Sequence, residues 1–187
     1  MKTVVVTGQF QSCPLLVLSL AQMVHHDGSP RVEIGVLVDK EFKHALTAVW
    51  LRKVAGQVLL AEHVNPLIEI GLVVTGQEKI RELNRLYLEE DAPTDVLSFP
   101  MTESDSDESG FITPPDSTLR LGEVIISYPQ AKKQAKEHGH IVKKEIAVLI
   151  VHGVLHLLGY DHDTPGRKRV MHKREAAVIK IIGEKLL

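Results

Sequence analysis

Three histidines near the C-terminal end stand at a spacing that can seat a metal ion. Residues 152–162 read H-x-x-x-H-x-x-G-x-x-H, with His152, His156 and His162 as the fixed points. On a helix, residues four apart share a face, with Cβ atoms roughly 6 Å apart. The imidazoles of His152 and His156 can then meet at one ion at the usual Zn–N distance of about 2 Å. Gly159 is the usual residue for a left-handed helix stop, and the turn it permits swings His162 round as a third ligand. Three protein ligands with a fourth position open is the pattern of a catalytic zinc rather than a structural one.

The elements that must hold this set are legible in turn. Val32–Val38 reads as the first strand, with Asp39 as a helix N-cap, and helical spacing of apolar residues runs from about Glu41 to Ala61. Leu67 to Thr75 is a second, well-buried strand, and Thr75-Gly76 opens a helix through Glu78–Leu88. Asp95–Phe99 is a short third strand and Leu121–Ser127 a fourth, with Pro129 beginning the helix to about His138. The stretch that follows Lys143-Lys144-Glu145, from Ile146 to Leu158, is apolar nearly all round, so it is expected at the centre of the domain. A last helix runs from about Arg167 to the end, with an inward stripe at Val170, Ala177, Val178 and Ile181. The fold class is therefore α+β: a single domain with a mixed four-stranded sheet, about five helices, and a metal site at the C-terminal end of a central buried helix. The domain is expected over 32–187, with 1–31 as an N-terminal extension.

Composition bounds the rest. A hydrophobic share of 44% suits a globular core, and aromatics at 4% leave little for base-stacking platforms. The single cysteine, Cys13, rules out an internal disulfide and suits a reducing, cytoplasmic setting. The apolar run from Pro14 to Ala21 is far below the ~20 residues that span a bilayer, so no membrane partner is expected. That extension is read as an appendage, or as the product of an upstream start with Met23 as the natural one. The stretch from Thr102 to Thr118, rich in Ser, Asp, Glu and Pro, is expected to be an acidic connecting loop. Residues 1–119 carry 9 Lys and Arg against 17 Asp and Glu, whereas residues 120–187 carry 13 against 7. The basic half holds the histidines. It suits a phosphate-bearing substrate, or it simply attracts the acidic half in the fold.

Burying two imidazoles without partners costs about 1–3 kcal/mol each, and an ion removes that cost by taking a lone pair from each. His44, His63, His138, His140 and His172 lack ligand spacing and are read as ordinary histidines. The triple-histidine spacing is also that of metzincin proteases, whose first histidine is followed by a glutamate base. Here that position is Gly153, so a peptidase would lack its proton acceptor. No nucleophilic Ser or Cys motif and no glycine-rich phosphate loop competes.

His152-Gly153-Val154-Leu155-His156-Leu157-Leu158-Gly159-Tyr160-Asp161-His162 resembles the signature of the YbeY-type rRNA maturation factors. The likeness extends through Leu83–Tyr87, Asp91–Pro100 and Leu121–Ser127, and covers roughly Val32 to the C-terminus. The resemblance implies one Zn2+ per chain held by His152, His156 and His162. It also implies single-strand-type endoribonuclease action on ribosomal RNA, in late small-subunit maturation and ribosome quality control. After the tyrosine matching Tyr87 the family usually has an arginine near the metal, where this chain has Leu88. Arg85, one helical turn earlier, is the candidate substitute. Lys132, Lys133, Lys143, Lys144, Arg167 and Arg169 are candidates for steering the RNA backbone, and Asp161 and Asp163 for contacts to a ligand histidine. Two other readings stand beside this one: a metal-dependent hydrolase of another substrate, including peptide, and a ribosome-assembly binding protein whose zinc is structural.

Overall fold

Runs of Val, Ile and Leu build a five-stranded sheet whose two faces bury different helices. The computed structural model describes Val4–Val5 and residues 32–64, 67–101 and 119–187. The strands are β1 (Val4–Val5), β2 (Val32–Val38), β3 (Ile68–Thr75), β4 (Val96–Pro100) and β5 (Leu119–Ser127). Their order in the sheet is β1-β4-β5-β3-β2. β2, β3 and β5 run parallel, while β4 is antiparallel to β5 and β1 pairs parallel with β4 at the edge. The four expected strands are thus present in a mixed sheet, and Val4–Val5, from the strand-like stretch Thr3–Thr7, adds a fifth. The rest of 1–31 and the acidic stretch 102–118 lie outside the described residues.

The described residues also form five α-helices: α1 (Ala48–Ala61), α2 (Gln77–Leu88), α3 (Tyr128–Glu137), α4 (Val142–Leu157) and α5 (Pro165–Leu186). Because strand side chains alternate between faces, each strand serves two layers. Ile70, Leu72, Val74, Val96, Val124 and Ile126 join the main core with the buried faces of α1, α3, α4 and α5. Val73, Leu97, Phe99 and Ile125 point the other way, onto Ile80 and Leu83 of α2. No helix among the described residues is long and apolar enough to cross a membrane.

Three local readings are corrected. The helix expected from Glu41 begins at Ala48, after a 3-10 turn at Lys40–Phe42, because the Thr47 hydroxyl caps it by accepting from Trp50 N at 3.3 Å. Asp39 makes no side-chain cap; its carboxylate accepts from the Thr75 hydroxyl at 2.6 Å and ties β2 to β3. In α5 the buried stripe is Met171, Val178 and Ile182, while Val170 is exposed. The stripe is set by the packing of α5 on α4 and α1 rather than by its most apolar residues.

α4 is the central helix. Twelve of its 16 residues are buried, Glu145, His152 and His156 among them. Each fully buried aliphatic side chain contributes about 1.5–3 kcal/mol, which is how the fold supports two imidazoles in its interior.

Candidate metal centre

His152 and His156 lie one turn apart near the C-terminal end of α4, 5% and 4% exposed. The helix ends as the glycine requires. Gly159 has φ 87°, its N–H donates to His156 O at 2.9 Å, and Tyr160 N donates to Leu155 O at 3.0 Å. That pair of bonds is the Schellman arrangement, open to a residue that tolerates a left-handed backbone. It turns the chain back so that the half-buried His162 faces the other two. Ring centroids are 4.6 Å apart for His152–His156, 5.0 Å for His156–His162 and 5.9 Å for His152–His162. One nitrogen from each ring falls within 4.8 Å of the others.

The surroundings of the two buried rings suit a cation between them. Nδ1 of His152 faces the Glu175 carboxylate of α5 at short range and donates to it, which turns Nε2 toward the other rings. His156 is hydrogen-bonded to the backbone of Tyr160. Burial, followed by the two neighbouring imidazoles, pushes the His156 pKa down to about 4, so the ring is neutral at pH 7. The two Nε2 atoms stand 3.1 Å apart. The two Nε2 atoms and the nearby His162 ring present three imidazole nitrogens to one point, an arrangement that a divalent ion can bridge. The C-terminal end of a helix also carries the negative end of its dipole, which favours positive charge there. The donor set therefore fits a borderline-soft ion such as Zn2+.

Glu175 is the residue that sequence reasoning missed. Its signal was a carboxylate in register with the inward stripe of α5, between Met171 and Val178. Asp161 does contact a ligand histidine, through the backbone, accepting from His162 N at 2.6 Å, whereas Asp163 accepts from Arg167 Nη1 at 3.1 Å. The turn that carries His162 is pinned by Tyr160. Its hydroxyl donates to Glu62 Oε2 at 2.7 Å, raising the tyrosine pKa, while Arg174 clasps the other oxygen of Glu62 at 2.7 Å. Adjacent residues of α5 thus hold the two halves of the site, Arg174 through the turn and Glu175 through His152.

Gly153 packs against the sheet. A Cβ there would sit 2.5 Å from Val124 Cγ1 and 3.2 Å from Ser98 Oγ. The position that carries the glutamate base in metzincins therefore has no room for any side chain.

Arg85 stands apart from the histidines. It is exposed in the last turn of α2, on the opposite face of the sheet from α4, where its charge lowers the pKa of Asp91 behind the stronger effect of Arg81. The half-buried Leu88 packs onto the α2 face of the sheet. Asp95 is structural: its carboxylate accepts from Val96 N at 2.9 Å and from Gln134 Nε2 at 2.7 Å, fixing β4 to α3.

A family model described as Endoribonuclease YbeY matches residues 37–183. The chain belongs to the YbeY family. A YbeY endoribonuclease of Dehalococcoides mccartyi strain BAV1 is 48% identical over 157 residues, which is 82% of this chain and 98% of the relative. Another, of Moorella thermoacetica, is 44% identical over 133 residues, 71% of this chain and 85% of the relative. The fold is similar to the solution structure of a Thermotoga maritima protein, with a TM-score of 0.55 and 22% identity over 81% of this chain and 90% of the other. The match with the YbeY family model runs from the end of β2 into α5 and includes all three histidines.

Proposed function

We propose that this chain is a metal-dependent endoribonuclease that cuts ribosomal RNA during small-subunit maturation and quality control in the cytoplasm, with residues 32–187 as its catalytic unit and 1–31 as an extension. The observation that carries the reading is the convergence of His152, His156 and His162, with one ring nitrogen of each within 4.8 Å of the others and Glu175 behind His152. In this reading His152, His156 and His162 hold one Zn2+, which supplies Lewis-acid chemistry for hydrolysis of a phosphodiester. Glu175 holds the His152 ring at its angle. No fourth histidine, cysteine or carboxylate joins the cluster among the described residues, and His162 is its most exposed member. Gly153 removes the peptidase base. Arg85, on the other face of the sheet, enters as a cation for the RNA backbone away from the metal.

Metal analysis of the purified chain and of His156→Ala tests the ligand set. The variant is expected to lose one zinc ion per chain relative to wild type. Full metal occupancy in the variant overturns the assignment.

A further inference from the structure

At the opposite end of α4 the fold assembles a second cluster that the sequence does not announce. His138 caps the C-terminus of α3, Gly139 turns the chain with φ 68°, and His140 follows just before the first turn of α4. Both rings converge on Glu145, a carboxylate in that first turn whose side chain is only 1% exposed. His138 Nδ1 lies 3.2 Å and His140 Nε2 3.0 Å from the same oxygen, Oε2. The three donor atoms lie within 4.8 Å of one another. Seven residues of helix separate Glu145 from His152, about 10 Å along the axis, so the two clusters are distinct.

The hydrogen-bond arithmetic here has the same form as at the first site. His140 Nδ1 lies 3.3 Å from the Ile141 carbonyl, which can only accept. With a donor hydrogen bond there, the Nε2 lone pair of His140 faces the Glu145 carboxylate 3.0 Å away. Nδ1 of His138 faces the same oxygen. Such a convergence is bridged either by a ring proton or by a shared cation. The separations of 3.0–3.2 Å approach the edge of a tetrahedron around an ion with bonds of about 2.0–2.1 Å, which is about 3.3 Å. His138, 52% exposed, forms the solvent side, so an ion has a way in and a fourth position that water can fill. The N-terminal end of α4 is the positive end of its dipole. The full charge of Glu145 outweighs that partial charge.

We propose that His138, His140 and Glu145 form a second divalent-cation site, of the two-histidine, one-carboxylate type that takes Zn2+ or another borderline first-row ion. Its role is a clip. An ion held there fastens the end of α3 to the start of α4 and so steadies the helix that carries His152 and His156 at its other end.

The test uses the full chain, stripped of metal by chelation and then titrated with Zn2+ alone while bound ions are counted. Wild type is expected to take up one more ion than His138→Ala/His140→Ala, and the double variant to keep the ion that His156→Ala loses. Zinc should raise the melting temperature of wild type by more than that of the double variant, because an ion that binds only the folded state stabilises it. Both replaced rings are at least partly exposed, so the double variant should fold. Circular dichroism checks that before titration. Co2+ in place of Zn2+ should give a tetrahedral absorption band at this site that vanishes in Glu145→Gln. Equal zinc uptake by wild type and the double variant would mean that a proton, not a metal, lies between the rings and the carboxylate, and would overturn the proposal.

Discussion

At the scale of single residues, the metal centre rests on what stands behind each ring as much as on the rings. Glu175 fixes the tautomer of His152, and loss of such an outer contact typically weakens metal binding by about 10–100-fold. Glu175→Gln keeps the size and an acceptor oxygen but removes the charge. Zinc titration of that variant should show weaker binding by a factor in that range, with its melting temperature little changed. Binding as tight as in wild type would reduce Glu175 to a bystander. The three ligands could be read from their spacing because i, i+4 on a helix and a glycine stop are local geometry. Glu175 could not, because its partner lies 23 residues away and only the packing of α5 on α4 brings them together. His138, His140 and Glu145 escaped for the same reason. Their spacing is not that of one helix face, and a turn at Gly139 closes it.

At the scale of elements, α4 is built to be immovable. Across the sheet, Leu72, Val124 and Ser98 lie in register, and Gly153 of α4 settles on Val124 and Ser98. Gly153→Ala would press a methyl group to within 2.5 Å of Val124 Cγ1, and overpacking of that kind costs about 1–3 kcal/mol. In a chain of this length each kcal/mol lowers the melting temperature by about 2–4 °C. A calorimetric scan should therefore show a clear drop. An unchanged transition would mean that α4 can lift from the sheet, and that the absence of a glutamate there is not steric. Strand and helix positions were legible from periodicity, most securely for α4, which is apolar all round. The start of α1 and the inward face of α5 were not, since Thr47 wins the cap by its own hydroxyl and α5 is rotated by its neighbours. The cationic partner was the least legible feature. Nothing local tells that α2 packs on the sheet face away from the histidines.

At the scale of the whole molecule, the charge division between the halves has two uses. Part of it is spent inside the fold: Glu62 pairs with Arg174 at 2.7 Å and Glu69 with Arg120 at 2.9 Å, each an acid of the first half with a base of the second. Lys132, Lys133, Lys143 and Lys144 instead sit exposed on α3 and at the start of α4, and Arg167 and Arg169 at the start of α5. Contacts to phosphates release counterions, so each one lost should flatten the dependence of log K on log salt by about 0.7 for a single strand. Replacing the four lysines by Gln, with Arg85→Ala measured separately, should weaken RNA binding at low salt and reduce that slope. A slope equal to wild type would assign these charges to solvent alone.

The central claim is that the three histidines make this YbeY-family chain a metal-dependent nuclease. Its most direct test is cleavage of a structured ribosomal RNA fragment under single turnover by native, chelated and zinc-restored protein, with His156→Ala alongside. Cleavage should disappear on chelation, return with Zn2+, and be absent from the variant under every condition. Cleavage that survives chelation, or that His156→Ala performs at the wild-type rate, would contradict the account.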